Sequence, residues 1–287
     1  MEHMHFVITQ FNLRNKPVSG SAAYDEWLSW TRSRISIFRN YCLPSVLNQT
    51  CRDFSWLIFF DSSTPEEFGE FIGFLSSHDL ISVCYSDGMD DFYTGYIREV
   101  RKKAGPTTKW VITTRVDNDD SLHRDAILTI KENFIAKHRY LISLASGYVL
   151  DVNEKKLSHY FYPMSPFLSL IEDTGKEIEG IYSRGHTKWN NLRLFIFREL
   201  WLEYFNPKAR VSRFILKKPL WMQTVHGENV SNSFYRGFPV LRKRDLSDFS
   251  LELITNRMTF GTITRYCHYV TWKRYMKCLV IKFLINK

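Results

Sequence analysis

Three carboxylates close an apolar run in the segment WVITTRVDNDD: Asp117, Asp119 and Asp120. In an extended chain, residues two apart project to the same side, so Asp117 and Asp119 should face one crevice while Asn118 points away. Ligands of open α/β sheets bind in the crevice at the carboxyl ends of the strands. One or two carboxylates together with substrate phosphates hold Mg²⁺ or Mn²⁺. The spacing therefore predicts a site for a metal-bridged diphosphate.

A calcium loop and a solvated turn are two other interpretations of this segment. A calcium loop is excluded because DNDDSLHRDAIL has Leu122 where the loop needs Gly and Leu128 where it needs Glu. A solvated turn whose Asp caps the next helix is the common origin of an isolated D-x-D. The neighbouring segments therefore decide between a turn and a site.

The elements that would position these residues follow a βαβ rhythm, with short apolar runs separated by helical patterns. The predicted strands are residues 6–11, 54–60, 80–85, 109–116 and 140–150, and the predicted helices are 27–48, broken at Pro44, 93–103, and 122–137, capped by Ser121. Runs that are apolar throughout are typical of strands covered on both faces. We predict an α/β fold with a mostly parallel sheet flanked by helices and a less regular second half after residue 151.

The composition indicates a folded protein that buries a full core. The 287 residues are 44% hydrophobic and 24% charged, which is near the globular average. The five cysteines form no C-x-x-C pair, which argues against a disulfide framework or a zinc ribbon and favours a reducing compartment. With neither a secretory signal nor an uncharged run long enough to span a bilayer, the sequence predicts a cytoplasmic protein.

Missing motifs and charge narrow the function classes. The sequence lacks G-x-S-x-G, G-x-x-x-x-G-K-[ST] and G-x-G-x-x-G, which leaves serine hydrolases, P-loop NTPases and dinucleotide oxidoreductases without support. The net charge of +9 favours an anionic partner, and a basic nucleic-acid-binding protein without enzymatic activity is the alternative class. Six of these charges lie in the acid-free segment 259–287, and an acidic cleft repels a phosphate backbone. We therefore predict no nucleic acid partner.

Four segments together carry a resemblance to a known family: HFVITQFNLR, LPSVLNQTCRDFSWLIFFDSSTP, ITTRVDNDD and WMQTVHGENVSN. They resemble a rhamnosyltransferase family, a GT-A-like group from bacterial polysaccharide clusters that is related to the large inverting GT-A glycosyltransferases. The resemblance implies a GT-A-like fold and transfer of one sugar from a nucleotide sugar to a hydroxyl of a glycan or lipid-linked glycan, with inversion and with a divalent metal. One departure is Phe60, which stands where the related family carries the first of two adjacent acids.

The resemblance also implies individual roles. Thr9 and Asp61 match positions that hold the nucleoside, Arg98 matches a basic residue beside the nucleotide, Asp117 lies near the ribose and the metal, and Asp119 is the metal ligand. The structural alternatives are a strand-end hydroxyl for Thr9, a helix cap for Asp61 and a solvated helix face for Arg98.

A third metal ligand and a general base are expected in the second half of the chain. His226 is the candidate ligand, since GT-A members often complete the metal site with a histidine near the C-terminus, although a lone histidine is as often a surface residue. Glu228, in GEN, resembles the family's Gly-Glu-Asp segment and is a candidate base. Glu172 and Asp173, in LIED, are the rival candidates, and the sequence leaves this choice open.

The predicted organisation is a glycosyltransferase domain, 1–258, with a nucleotide-sugar half, 1–138, and an acceptor half, 139–258. Segment 259–287 has apolar residues at helical spacing bordered by Lys273 and Lys277. Such a basic amphipathic helix could lie on the anionic inner face of the cytoplasmic membrane, near a lipid-linked acceptor, or pack on the core. We favour the membrane because of the charge.

Overall fold

Parallel strands and their helices form the framework of the protein. The computed structural model describes residues 3–14, 22–163, 165–184, 189, 198–199, 201–202, 205–226, 234, 237–261 and 264. The strands are β1 (His3–Gln10), β2 (Ser55–Asp61), β3 (Ile81–Ser86), β4 (Trp110–Arg115), β5 (Ser121–Leu122), β6 (Tyr140–Leu144), β7 (Ser146–Asp151), β8 (Lys156–Phe161), β9 (Leu168–Asp173), β10 (Ser212–Ile215), β11 (Trp221–Val225) and β12 (Phe238–Pro239). The helices are α1 (Ala22–Ile37), α2 (Leu43–Leu47), α3 (Gly69–Ser76), α4 (Gly88–Ala104) and α5 (Ala126–Glu132).

The main sheet has seven strands in the order β10-β6-β9-β4-β1-β2-β3. Strand β9 is antiparallel to β4 and β6, and the other neighbours pair in parallel. Apolar side chains cover both faces: one core contains Phe71 and Ile127 from α3 and α5, and the other contains Phe92 and Tyr96 from α4. The predicted α/β fold with a mostly parallel sheet flanked by helices is confirmed.

A second sheet lies at the end of the first, in the order β12-β8-β7-β11-β5. The predicted strand 140–150 divides at Ala145 into β6 of the main sheet and β7 of the second sheet. Both halves are buried, so the apolar run gives no signal of the change of sheet. The predicted second half, 139–258, contributes strands β6 to β12. Of these, β6, β9 and β10 belong to the main sheet together with β1 to β4 of the first half, so the two predicted halves share one sheet.

Two predicted helices differ from the structure. Pro44 does not break the first helix: α1 continues through a π-helical turn, Phe38–Cys42, into α2, and the N–H of Leu43 reaches the carbonyl of Phe38. This wider turn accommodates a proline that lacks an N–H and would clash with the preceding turn. The predicted helix 122–137 shortens to α5 because Leu122 instead pairs with Trp221 in the second sheet.

None of the described helices is long and apolar enough to cross a membrane. The basic segment 265–287 lies outside the described residues, so its predicted helix is not tested. The boundaries of the predicted domains likewise stay predictions.

Candidate active site at the carboxyl edge

The ends of β1, β2 and β4 meet at one edge of the main sheet, which we call the carboxyl edge. The N–H of Phe11 donates to the carbonyl of Phe59 (2.9 Å), and the N–H of Val116 donates to that of Ile8 (3.1 Å). Residues that follow these three strands are thereby brought together although they lie far apart in the chain. This is the crevice in which parallel α/β sheets bind ligands.

The carboxylates of the D-x-D segment lie in a turn after β4, which we call the D-x-D turn (residues 117–120). The N–H of Asp120 donates to the carbonyl of Asp117 (3.3 Å). The strict alternation expected for a strand is therefore absent here, and Nδ2 of the buried Asn118 donates to the carbonyl of Phe11 (2.7 Å), just after β1. The side chains of Asp117 and Asp119 retain 34% and 14% of their exposure.

Asp119 is held by two cationic or potentially cationic side chains. Its Oδ2 lies 2.6 Å from Nη1 of Arg34 and 3.5 Å from Nε2 of His226. Burial acts to raise the pKa of Asp119, but the hydrogen bond from His226 and the charge of Arg34 outweigh it, and the pKa is lowered. Asp119 is therefore an ionised carboxylate at neutral pH.

The second sheet brings His226 to this carboxylate. Strand β11 pairs with β5, which directly follows the D-x-D turn, and the Oγ1 of Thr224 donates to the carbonyl of Asp119 (2.6 Å). The residue directly after β11 is His226, and its side chain is 10% exposed. The structure thus places the predicted third ligand beside Asp119, while its role as a ligand stays a prediction.

Asp117 faces a different partner. Arg115 donates to it from Nε (3.0 Å to Oδ1) and from Nη2 (3.1 Å to Oδ2). The Arg115 guanidinium also lies 5.1 Å from the ring centroid of Tyr182. Burial acts to lower the pKa of Arg115, but the charge of Asp117 outweighs it and the pKa is raised. A ligand that engages Asp117 must compete with this two-point ion pair.

Asp120 is the third carboxylate of the D-x-D turn, and nothing in the sequence indicates that it is buried. It is 1% exposed, and its Oδ1 accepts a long hydrogen bond from the N–H of Thr224 (3.4 Å). Burial, followed by the charges of Asp119 and Asp117, raises the pKa of Asp120. This acid therefore supports the turn from the interior of the protein.

Asp61 occupies the end of β2, where the nucleoside was expected. Its Oδ1 accepts hydrogen bonds from the N–H of Ser63 (3.0 Å) and from Nη2 of Arg14 (3.2 Å). Burial acts to raise the pKa of Asp61, but the hydrogen bonds from Ser63 and Arg14 outweigh it and the pKa is lowered. The side chains of Asp61 and Arg14 are 1% and 10% exposed, and the Arg14 guanidinium lies 4.8 Å from the ring centroid of Trp27, so this end of the edge holds a buried ion pair beside an aromatic ring.

Thr9 and Arg98 lie in contrasting places. Thr9 is fully buried; its hydroxyl donates to the carbonyl of Val116 (2.9 Å) and accepts from Nε1 of Trp56 (2.9 Å), which joins β1, β2 and β4. Arg98 lies on α4 with its side chain 74% exposed, 3.5 Å from Asp91. These surroundings match the structural alternatives weighed for both residues, and their nucleotide-binding roles stay predictions.

Glu172 and Asp173 lie at the opposite edge of the sheet. In the antiparallel strand β9 they pair with Val111 and Trp110, at the start of β4. At about 3.3 Å per residue, the six-residue strand β4 (Trp110–Arg115) separates this edge from the D-x-D turn by roughly 16 Å. The structure therefore corrects the interpretation of LIED as a possible source of the base. The rival candidate, Glu228, lies outside the described residues.

The described residues offer an incomplete but compatible set of metal ligands. They contain no group of three or more His, Cys, Asp or Glu side chains that could hold a metal by themselves. The separation of 3.5 Å between Asp119 Oδ2 and His226 Nε2 suits two neighbouring ligands of an ion bound at about 2.0–2.2 Å from each. Carboxylate and imidazole also suit Mn²⁺ chemically, with donor phosphates and water completing the coordination.

Comparison with known proteins identifies the family. Residues 21–196 match the model of the family described as "Putative rhamnosyl transferase". Because the match covers more than half of the chain, the chain belongs to this glycosyltransferase family. A search of curated proteins gave no match.

Among solved structures, the chain is similar to S. aureus TarS 1-349, with 14% identity, a TM-score of 0.39, and coverage of 77% of this chain and 60% of that chain. It is also similar to 4-diphosphocytidyl-2C-methyl-D-erythritol synthase from Anaerococcus prevotii, with 14% identity, a TM-score of 0.30, and coverage of 83% and 91%. The chain thus spans about 60% of the length of the first of these structures.

Proposed function

We propose that the protein is a metal-dependent glycosyltransferase that moves one sugar, for which rhamnose is our candidate, from a nucleotide sugar to a hydroxyl of a glycan or lipid-linked glycan. The observation that carries the proposal is the meeting of Asp119 and His226 at the carboxyl edge, from positions 107 residues apart. Family membership supports the reaction class. Inversion is part of the proposal and rests on the resemblance to the inverting GT-A enzymes.

In this proposal, different residues of the carboxyl edge bind the metal and the nucleoside of the donor. Asp119 and His226 would hold a Mn²⁺ or Mg²⁺ ion, with Asp117 as a further ligand once it leaves Arg115. A divalent ion in this place stabilises the negative charge of the departing diphosphate. Asp61, with Arg14 and Trp27 around it, lies where the nucleoside would bind.

Inversion requires a base that takes the acceptor proton on the face opposite the leaving group. Glu228 is our candidate, since it follows His226 by two residues in the chain and its GEN segment resembles the family's Gly-Glu-Asp segment. Glu172 and Asp173 are held at the opposite edge of the sheet, beside the start of β4.

We further propose that the basic segment 259–287 attaches the enzyme to the anionic inner face of the cytoplasmic membrane, where a lipid-linked acceptor would be found. Cations near an anionic surface contribute about 1 kcal/mol each, which predicts reversible attachment. Flotation with liposomes containing anionic lipid should recover the intact chain but not a chain ending at Thr259, and high salt should release it. Equal flotation of both chains would remove this role.

The test of the proposed function is a thermal denaturation screen with nucleotide sugars, each with and without Mn²⁺. A ligand at 100 times its dissociation constant stabilises the folded state by about 2.7 kcal/mol. We expect one donor to raise the melting temperature only when the metal is present, and to be consumed with an acceptor glycan. The absence of a response to every donor, together with retention on nucleic acid, would contradict the proposal.

A further inference from the structure

Helix α1 places an arginine inside the site. Its fully buried positions are Thr31 and Arg34, so this helix directs two polar groups toward the protein beside half-buried apolar residues such as Ile35, which packs against the core. The side chain of Arg34 is 6% exposed, and its ion pair with Asp119 joins α1 to the D-x-D turn. No local pattern in the sequence indicates the burial of Arg34, because its partner lies 85 residues away.

The environment of Arg34 leaves hydrogen-bonding capacity unused. Its guanidinium lies 4.8 Å from the ring centroid of Trp30, which fixes its plane. Its Nε is buried and has no hydrogen-bond partner among the described residues. A buried donor without a partner costs free energy that an incoming acceptor recovers. The guanidinium is a fork of donors that matches phosphate oxygens at two points.

The charge balance of the site favours a change of partner for the Arg34 guanidinium. Asp117 and Asp119 face Arg115 and Arg34 in two ion pairs, so these four charges cancel. An ion that takes Asp119 removes the counter-charge of Arg34 and leaves a buried cation next to the place where the donor diphosphate would lie. An unpaired buried charge is costly, and a diphosphate oxygen would pair it again.

We propose that Arg34 is a diphosphate-binding residue of the donor site, and that its ion pair with Asp119 is exchanged for a phosphate contact when the donor and the metal bind. This inference rests on the proposed function and deepens it. In the free protein Arg34 keeps Asp119 ionised and in place. In the donor complex it neutralises part of the charge of the leaving diphosphate.

The first experiment measures binding of UDP, dTDP and GDP by isothermal titration calorimetry in the presence of Mn²⁺. A charge-assisted contact to phosphate predicts that Arg34→Ala weakens binding of the nucleoside diphosphate by about tenfold to a hundredfold. Arg34→Lys, which keeps the charge but loses the fork, should still lose about tenfold. The matched control is Arg32→Ala on the same helix, because Arg32 is 55% exposed and pairs with Glu67; its binding should equal that of the wild type.

A second experiment separates a ligand from a residue that only holds Asp119. In metal-free buffer, Asp119→Asn should bind the nucleoside diphosphate about tenfold more tightly than the wild type, because Arg34 is freed and a repelling charge is lost. In an Arg34→Ala background, Asp119→Asn removes the repelling charge but frees no guanidinium. The increase in affinity for the nucleoside diphosphate should therefore be clearly smaller. Equal gains in the two backgrounds would overturn the proposal and leave Arg34 a structural partner of Asp119.

The outcomes also separate this inference from the proposed function. Wild-type protein that binds none of the diphosphates with Mn²⁺ would contradict both. Wild-type binding that Arg34→Ala and Arg34→Lys retain unchanged would overturn the Arg34 proposal alone. Far-UV circular dichroism of each variant establishes that it is folded, and if Arg34→Ala does not fold, Arg34→Lys and its combination with Asp119→Asn carry the test.

Discussion

Asp119 and Glu172 are inward-facing carboxylates at opposite edges of the same sheet, and they differ in what holds them. Glu172 accepts hydrogen bonds from two backbone N–H groups, those of Glu179 (2.9 Å) and Gly180 (2.8 Å). Asp119 is held by the side chains of Arg34 and His226. Backbone donors cannot leave without unfolding a loop, whereas side chains can turn to another partner. The comparison indicates that Glu172 supports the fold, and it agrees with the proposal that Asp119 exchanges its side-chain partners for a ligand.

The pKa shifts follow the same division. Burial raises the pKa of Glu172, and the two backbone hydrogen bonds offset this only in part. At Asp119 burial acts in the same direction, but His226 and Arg34 reverse it and lower the pKa. A metal ligand must be deprotonated, and of the two carboxylates Asp119 is the one whose surroundings favour that form.

The largest expected effect comes from Asp119→Ala. Because the proposed metal would contribute several kcal/mol to stabilising the transition state, we expect turnover to fall by about a thousandfold while the fold is retained. Turnover and far-UV circular dichroism should be measured on the same preparation. Turnover near the wild-type level in a folded variant would remove Asp119 from the site.

The second-largest loss of turnover is expected from a change of the candidate base, Glu228. Glu228→Gln keeps the size of the side chain but cannot take a proton, so turnover should fall by at least about a hundredfold while donor affinity is unchanged. Steady-state kinetics combined with calorimetric donor binding would check this. If Glu228→Gln transfers sugar normally, another residue must be the base.

Glu172→Gln should show the opposite pattern to Asp119→Ala. The amide offers one acceptor where the carboxylate offers two, so one backbone N–H loses its partner and the free energy of unfolding should fall by about 1–3 kcal/mol. Transfer by the folded variant should stay within about twofold of the wild type. Urea unfolding and turnover together are the measurement, and an inactive but fully stable variant would refute the division between the two edges.

A smaller effect is expected from His5, which lies in a buried polar row with its Nε2 2.7 Å from the hydroxyl of Thr114. Burial, with lesser contributions from Lys131 and His3, lowers the pKa of His5 from 6.5 to about 3. The unfolded chain therefore binds a proton between these values that the folded chain does not, and stability must fall as the pH decreases through that range.

The size of this contribution approaches about 1.4 kcal/mol per pH unit. The His5→Gln variant should lose that part of the slope, so that its unfolding free energy depends less steeply on pH between 6 and 4 than that of the wild type. Urea denaturation at several pH values would measure the difference. Parallel slopes would show that His5 is protonated in the folded protein.

The sequence was informative where local pattern decides the structure. The apolar runs located β1 to β4 within a few residues, because strands covered on both faces must be apolar throughout. The D-x-D turn was found for the same reason, since three acids directly after such a run are conspicuous. The family match over residues 21–196 bears out the resemblance that directed attention to His226.

Local sequence patterns did not predict the contacts between distant segments. Glu172 and Asp173 of LIED are candidates for the base from the sequence, but β9 pairs antiparallel with β4, so the carboxyl end of β9 lies beside the amino end of β4. Arg34 and the burial of Asp120 were not predicted, because both depend on the packing of α1 and β11 against the D-x-D turn. Nothing in the local sequence distinguishes a buried arginine of this kind from a solvated one.

The most direct test of the carboxyl edge as the donor site is Mn²⁺ binding followed by electron paramagnetic resonance in the presence of a nucleoside diphosphate. We expect the signal of free Mn²⁺ to decrease as wild-type protein is added, and to decrease equally with Glu172→Gln. With Asp119→Ala the free signal should persist. Equal loss of signal with Asp119→Ala and with the wild type, or no loss with either, would contradict the assignment of this edge as the metal and donor site.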